Sequence, residues 1–201
     1  AMFKDDPRIT SLYWTTIYQV PGHPTFTEET LLHGKPALTE ILNLENGQKL
    51  EFDILPKAFF QTNTKQAEKL YSKVIDLAGL TGDETVLDLY CGTGTIGLFC
   101  AHKAKEIVGI EENEQAVESA RGNATKNGIT NATFYLGRVE HRLSDLSQKP
   151  DVVIVDPPRI GLGSEVVDAV AKFGAKKVVY VSCNPATLAR DLSYFAGLGY
   201  F

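Results

Sequence analysis

Cys183 stands in the stretch VVYVSCNPATLARDL, between a β-branched run and a helical pattern. Asn184 suits a helix N-cap and Pro185 a first helical position. The thiol is therefore expected just ahead of a helix N-terminus, whose partial positive charge favours a thiolate, and at the carboxyl end of a strand. Small residues also fit tight turns, so the position has a structural reading beside the nucleophilic one. The other two cysteines differ. Cys100 lies in an apolar helical stretch and reads as core, and Cys91 lies in a glycine loop where a small residue is wanted.

That loop is LDLYCGTGTIG, in which Gly92, Gly94 and Gly97 spell G-x-G-x-x-G and Glu111 follows at the distance of a ribose-binding acid. Taken alone, the pattern reads as a dinucleotide site, and a nicotinamide-dependent oxidoreductase is one function it allows. Asp88 argues for another ligand. A carboxylate at the end of the first strand would repel a pyrophosphate but suits a positive amine or sulfonium, as in S-adenosylmethionine. Two further acids fall near such a ligand. Glu140, in GRVEHRL, reads equally as an adenine neighbour or a surface carboxylate. Asp156, opening DPPR, reads as facing the same cleft or as a turn cap.

A methyl donor beside a cysteine nucleophile points to carbon 5 of a pyrimidine. That carbon is a weak nucleophile until a thiolate adds at carbon 6, which splits one hard step into easier ones. Amino-group methylation of adenine favours an aromatic residue after Asp-Pro-Pro, where Arg159 stands. Cytosine-5 chemistry on RNA favours a Pro-Cys at the fourth strand, which is missing. The pattern therefore selects uracil. A non-catalytic RNA-binding scaffold that retains the cofactor fold is the remaining alternative.

The 201 residues suffice for one domain with an appendage, and 43% hydrophobic with 22% charged residues is ordinary globular composition. No apolar run reaches bilayer length and no secretory signal is visible. Ala1-Met2 resembles a remnant of cloning. Three cysteines without metal-site spacing and four scattered histidines predict neither a disulfide framework nor a metal site, and fit a reducing cytoplasm. A net charge of −5 lowers the expectation of a nucleic-acid partner, because phosphate neutralisation needs a basic surface. Lys172, Lys176 and Lys177 read as solvated surface. No large exposed apolar face is foreseen, and a monomer is expected.

Residues 1–56 form a β-rich N-terminal segment, with strand composition in SLYWTTIYQV and a hairpin around Asn46-Gly47 in ILNLENGQKLEFDIL. From Asn63 a helical period begins, capped by Asn63 or Thr64 and stopped near Gly79. Apolar strands then alternate with helices to the end of the chain. This pattern predicts a Rossmann-like, doubly wound, mostly parallel sheet over 57–201, with ligands at the carboxyl ends of its strands.

The segments AFFQTN (58–63), LDLYCGTGTIGL (87–98), GIEENEQAVESARGNATKNGI (109–129), VDPPRIGL (155–162) and YVSCNPATLARDL (180–192) resemble the RNA uracil-5 methyltransferases. These belong to the class I S-adenosylmethionine-dependent enzymes and act on uridines of ribosomal or transfer RNA. The resemblance spans about residues 30–201. It implies that Cys183 is the nucleophile and that Gln61, Tyr90, Gly92, Glu111 and Asp156 contact S-adenosylmethionine. Asp156 would lie close to the methionyl end or the target base. Bottom-up, Gln61 is equally a polar residue at a helix start. Family members continue into a segment carrying the glutamate that removes the proton from carbon 5. The domain over 57–201 is accordingly expected to be truncated at its C-terminus and to lack that base. Many members also carry an N-terminal RNA-binding β-barrel and some an iron–sulfur cluster, neither of which is visible here.

Overall fold

A computed structural model describes residues 6–23, 25–146 and 149–200; Ala1-Met2 and Phe201 lie outside them. Two antiparallel hairpins come first: β1 (Ser11–Tyr18) with β2 (Phe26–Gly34), and β3 (Leu38–Asn43) with β4 (Lys49–Ile54). The second turns through Asn46-Gly47, where Gly47 takes φ +85° and Leu44 N–H donates to the Gln48 carbonyl at 2.8 Å. β2 had no clear signature in the sequence, because its Thr-Glu-Glu-Thr run carries little apolar content.

The remaining elements alternate. They are α1 (Thr64–Ala78), β5 (Thr85–Leu89), α2 (Thr95–Cys100), β6 (Glu106–Glu111), α3 (Glu114–Lys126), β7 (Ala132–Leu136), α4 (Val139–Arg142), β8 (Val152–Val155), α5 (Ser164–Phe173), β9 (Lys177–Tyr180) and α6 (Pro185–Gly197). The strands form one parallel sheet in the order β7-β6-β5-β8-β9. The order reverses between β5 and β8, and a doubly wound sheet opens a ligand crevice at that point, beyond the carboxyl ends of its strands. α1 starts at Asn63, whose side chain accepts from the Gln66 N–H, and ends at Gly79 in the left-handed region. The short α4 was not foreseen, since four residues are too few to show a period.

Successive strand residues face opposite sides, so the sheet builds two cores. Val86, Ile107, Val152, Ile154 and Val179 join a cluster with α1, α2 and α3. Leu87, Leu89, Ile110, Val153 and Val155 join α4, α5 and α6 on the other face. Leu42, Leu44, Leu50 and Phe52 of the second hairpin belong to the first cluster.

That hairpin is also held by side chains that imitate a β-ladder. Asn123 of α3 and Asn127, its C-cap, lie four residues apart, about 6 Å along the axis, which matches the roughly 6.6 Å between alternate residues of a strand. Asn123 Oδ1 accepts from Asp53 N–H and Asn127 Oδ1 from Glu51 N–H, both at 2.8 Å; Asn127 Nδ2 donates back to the Glu51 carbonyl at 2.8 Å. Asn123 is buried, and its Nδ2 also donates to the Thr93 carbonyl at 3.3 Å, in the glycine loop. Asn123→Ala removes a buried partner from both segments and should cost about 1–3 kcal/mol in urea-denaturation experiments.

Candidate active site

The loops after β5 and β8 meet at the sheet's switch point around a cleft of about 460 Å³. Among the residues lining it are Gln61, Tyr90, Gly92, Glu111, Asp156 and Cys183. The structure thus brings together six side chains and backbone positions drawn from five separate stretches of sequence.

Each is positioned by local chemistry. Tyr90 closes β5 with φ +62°, a left-handed conformation that costs a non-glycine residue free energy and that clusters at functional sites. Glu111 ends β6 and is fixed by both oxygens: Oε2 accepts from Gly92 N–H at 3.1 Å and Oε1 from Asn113 N–H at 2.9 Å. Gly92 takes φ +53° and has open space where a side chain would be. Asp156 is half-buried at the end of β8, and burial pushes its carboxyl up to about 6. Cys183 is exposed, whereas Cys91 and Cys100 are buried and their thiols are pushed well up by that burial. α6 begins directly after Cys183, with Asn184 Oδ1 accepting from Ala186 N–H at 3.1 Å and Pro185 in the first turn.

Three of the residues singled out in the sequence are not in this cleft. Asp88 turns into the core behind the glycine loop and is fully buried; its Oδ2 accepts from Gly97 N–H at 2.8 Å. Its Oδ1 is the one buried side-chain oxygen without a partner among the described residues. Burial drives the Asp88 carboxyl up to about 7, the Gly97 bond opposes this, and the charges of Asp156 and Glu111 add to it. Gly94 caps α2 at φ +77°, where an added Cβ would meet the Phe134 ring at 2.9 Å, so it serves packing. Glu140 lies in a neighbouring hollow of about 400 Å³, paired with Arg138. Tyr90 and Glu112 line both hollows.

A buried network went unread in the sequence. The Pro157–Leu162 loop is clamped to α6 by three of the helix's residues and its N-cap, Asn184. Asn184 Nδ2 and Thr187 Oγ1 donate to the Arg159 carbonyl at 3.1 and 3.4 Å, and Arg190 donates to the carbonyls of Ile160 and Leu162. Asp191, fully buried, accepts at 2.7 Å from both Leu162 N–H and the Tyr180 hydroxyl. At Gly161, with φ +78°, an added Cβ would sit 2.5 Å from Asp191 Oδ2, so only glycine fits. The sole sequence signal was an Arg-Asp pair in an amphipathic helix, which ordinarily faces solvent.

Among the described residues no group of three or more His, Cys, Asp or Glu side chains could hold a metal ion, and no helix is long and apolar enough to cross a membrane.

This arrangement is that of the class I S-adenosylmethionine-dependent methyltransferase fold. A precorrin-6y C5,15-methyltransferase of Geobacter metallireducens shares it at 19% identity and a TM-score of 0.63, over 72% of this chain and 77% of that one. Residues 27–197 match the tRNA (uracil-5-)-methyltransferase family, and the chain belongs to it. The Pyrococcus abyssi tRNA (uracil-54, C5)-methyltransferase, solved in complex with S-adenosyl-L-homocysteine, is 34% identical with a TM-score of 0.72, over 92% of this chain and 44% of that one. A protein of Clostridium tetani named an uncharacterized RNA methyltransferase is 51% identical over 151 residues, 75% of this chain and 33% of that protein. One of Protochlamydia amoebophila is 46% identical over 187 residues, 89% and 42% of the respective chains. The chain thus spans about a third to two-fifths of the length of these curated relatives.

The Asp88 geometry has a measurable consequence. A carboxyl raised from its ordinary 3.8 to about 7 binds its proton more tightly in the folded than in the unfolded state. Its contribution to stability is therefore present at low pH and is lost as pH rises from about 4 to about 7. Asp88→Asn removes this titration, so urea midpoints should shift in the variant's favour across that window relative to wild type. A constant difference between the two proteins would contradict the assignment.

Proposed function

We propose that this chain is the cofactor-binding and nucleophile-bearing part of an RNA methyltransferase that modifies carbon 5 of a uridine. The observation carrying this reading is the exposed thiol of Cys183 on the same cleft as Glu111, Gln61 and Asp156. The family match supports it, and transfer RNA is the class that match names. A nicotinamide cofactor is left without support by the same match.

The site's shape and donors fit S-adenosylmethionine. The cleft and the hollow beside it share Tyr90 and Glu112 as lining residues, giving an elongated ligand two adjacent compartments. Glu111 would accept from the ribose hydroxyls beside the open face of Gly92, and Asp156 and Gln61 would hold the methionyl end. Arg138, Val139 and Glu140 would border the adenine. When bound, the cofactor supplies an electrophilic methyl group that carbon 5 accepts.

Cys183 does the covalent work on the base. Its thiolate forms a bond to carbon 6 of uracil, and the electron pair of the 5,6 double bond moves into an enolate, which makes carbon 5 nucleophilic. After methyl transfer, a base removes the proton from carbon 5, and elimination breaks the sulfur–carbon bond and returns the thiolate. The uridine must be single-stranded or flipped from its stack to reach the thiol. The clamp on α6 keeps the Asp156–Arg159 segment beside Cys183 through these steps.

The test is a covalent trap. The protein is incubated with S-adenosylmethionine and transfer or ribosomal RNA containing 5-fluorouridine, then digested for peptide mass. Fluorine cannot leave carbon 5 as a proton does, so a methylated fluorouridine should remain on the Cys183 peptide. Cys183→Ser should form no adduct while binding S-adenosylhomocysteine within about twofold of wild type, since an oxygen replaces sulfur at an exposed position and none of the residues proposed to hold the cofactor is changed. Normal turnover by Cys183→Ser would overturn the proposal.

A further inference from the structure

Tyr71 is a tyrosine on α1 to which neither the motif pattern nor the proposed chemistry gives a part. It is 2% exposed, yet it lines the first cleft. Its ring is locked by an edge-on contact with Phe99, centroids 5.5 Å apart. Its hydroxyl has no hydrogen-bond partner among the described residues and is not among the oxygens sealed from solvent, so it opens into the cleft. A hydroxyl that opens into a cleft with no protein partner is free to donate to a ligand that fills it. Burial, with the nearby charges of Asp156 and Asp88, pushes its ionisation far above the ordinary value. The group is therefore a hydrogen-bond donor at any physiological pH.

The ligand's needs indicate what it donates to. An amino-acid group in a cleft containing Asp156 finds a partner for its ammonium, but its carboxylate needs donors. Of the neutral side-chain hydroxyl and amide donors lining the cleft, Thr93 and Thr95 are already bonded to each other at 2.9 Å, and Tyr90 is shared with the neighbouring hollow that holds Glu140. Gln61 and Tyr71 remain. Tyr71 lines only the first cleft and not the hollow with Glu140, which places it away from the compartment proposed for adenine. We propose that the Tyr71 hydroxyl donates a hydrogen bond to the carboxylate of the bound cofactor's amino-acid end; this rests on the methyl-donor reading above. Tyr71 is then a cofactor-contact residue that α1 brings under the glycine loop, and its preset orientation keeps the ordering cost of binding low.

Isothermal titration of this chain tests it with two ligands, S-adenosylhomocysteine and its decarboxylated analogue. Tyr71→Phe keeps the ring and its Phe99 contact, so the thermal midpoint should stay near wild type. A hydrogen bond to a charged group is lost, and affinity for S-adenosylhomocysteine should fall about tenfold or more. The decarboxylated analogue should bind wild type and variant equally. Undiminished affinity of Tyr71→Phe for S-adenosylhomocysteine, or an equal loss for both ligands, would overturn the assignment. Failure of wild type to bind either ligand would instead overturn the cofactor reading itself, and the inference with it.

Discussion

The buried carboxylate of Asp191 is the joint on which the reactive end of the molecule depends. It sits in α6 but satisfies Leu162 N–H from the loop after β8 and the Tyr180 hydroxyl at the end of β9. Arg190 Nε donates to its other oxygen at 2.9 Å. A buried carboxylate bonded this way is stable only while all partners stay in place, because losing one leaves a charge unsatisfied in low dielectric. The loop after β8 and the helix that follows Cys183 are therefore tied together.

The opposite wall uses a different device. Tyr90 in a left-handed conformation, the open Gly92 and the doubly bonded Glu111 carry the main chain around the end of β5. Beneath them Asp88 accepts from Gly97, tying the start of α2 to the strand it leaves. From outside, Asn123 holds both the Thr93 carbonyl and the β4 edge. The second hairpin is thereby wired to the glycine loop. Its apolar residues share a core with α1, α2 and α3, so this part of the N-terminal segment helps to set the cleft.

The two walls carry groups of matching character. Acidic residues, Glu111 and Asp156, and neutral donors, Gln61 and Tyr71, line the same cleft. Cys183 stands apart as the one exposed cysteine among the described residues. Such a division would suit the zwitterionic cofactor proposed above, with the exposed thiol on the same cleft.

Much of this was legible in the residue order. Periodicity is a local property, so the alternating strands and helices, the Asn63 and Asn184 caps and the hairpin at Asn46-Gly47 could be read directly. The glycine loop, Glu111, Asp156 and Cys183 were legible because short motifs fix backbone turns at strand ends. What the sequence could not show was direction. Asp88 looks like a ligand-facing acid in one dimension, but the two-residue alternation of β5 and the packing of α2 turn it into the core. Glu140 reads equally as a cofactor neighbour or a surface carboxylate, and the fold sets it in the hollow next to the cleft, paired with Arg138. Tyr71, Asn123 and Asp191 resembled ordinary helix residues, and only the close approach of segments 29 to 70 residues apart gave them partners or a cavity. Local chemistry was therefore determined by the sequence itself. Which polar groups are buried, paired or left facing the cleft was decided by tertiary packing, because burial and hydrogen-bond satisfaction depend on neighbours that are distant along the chain.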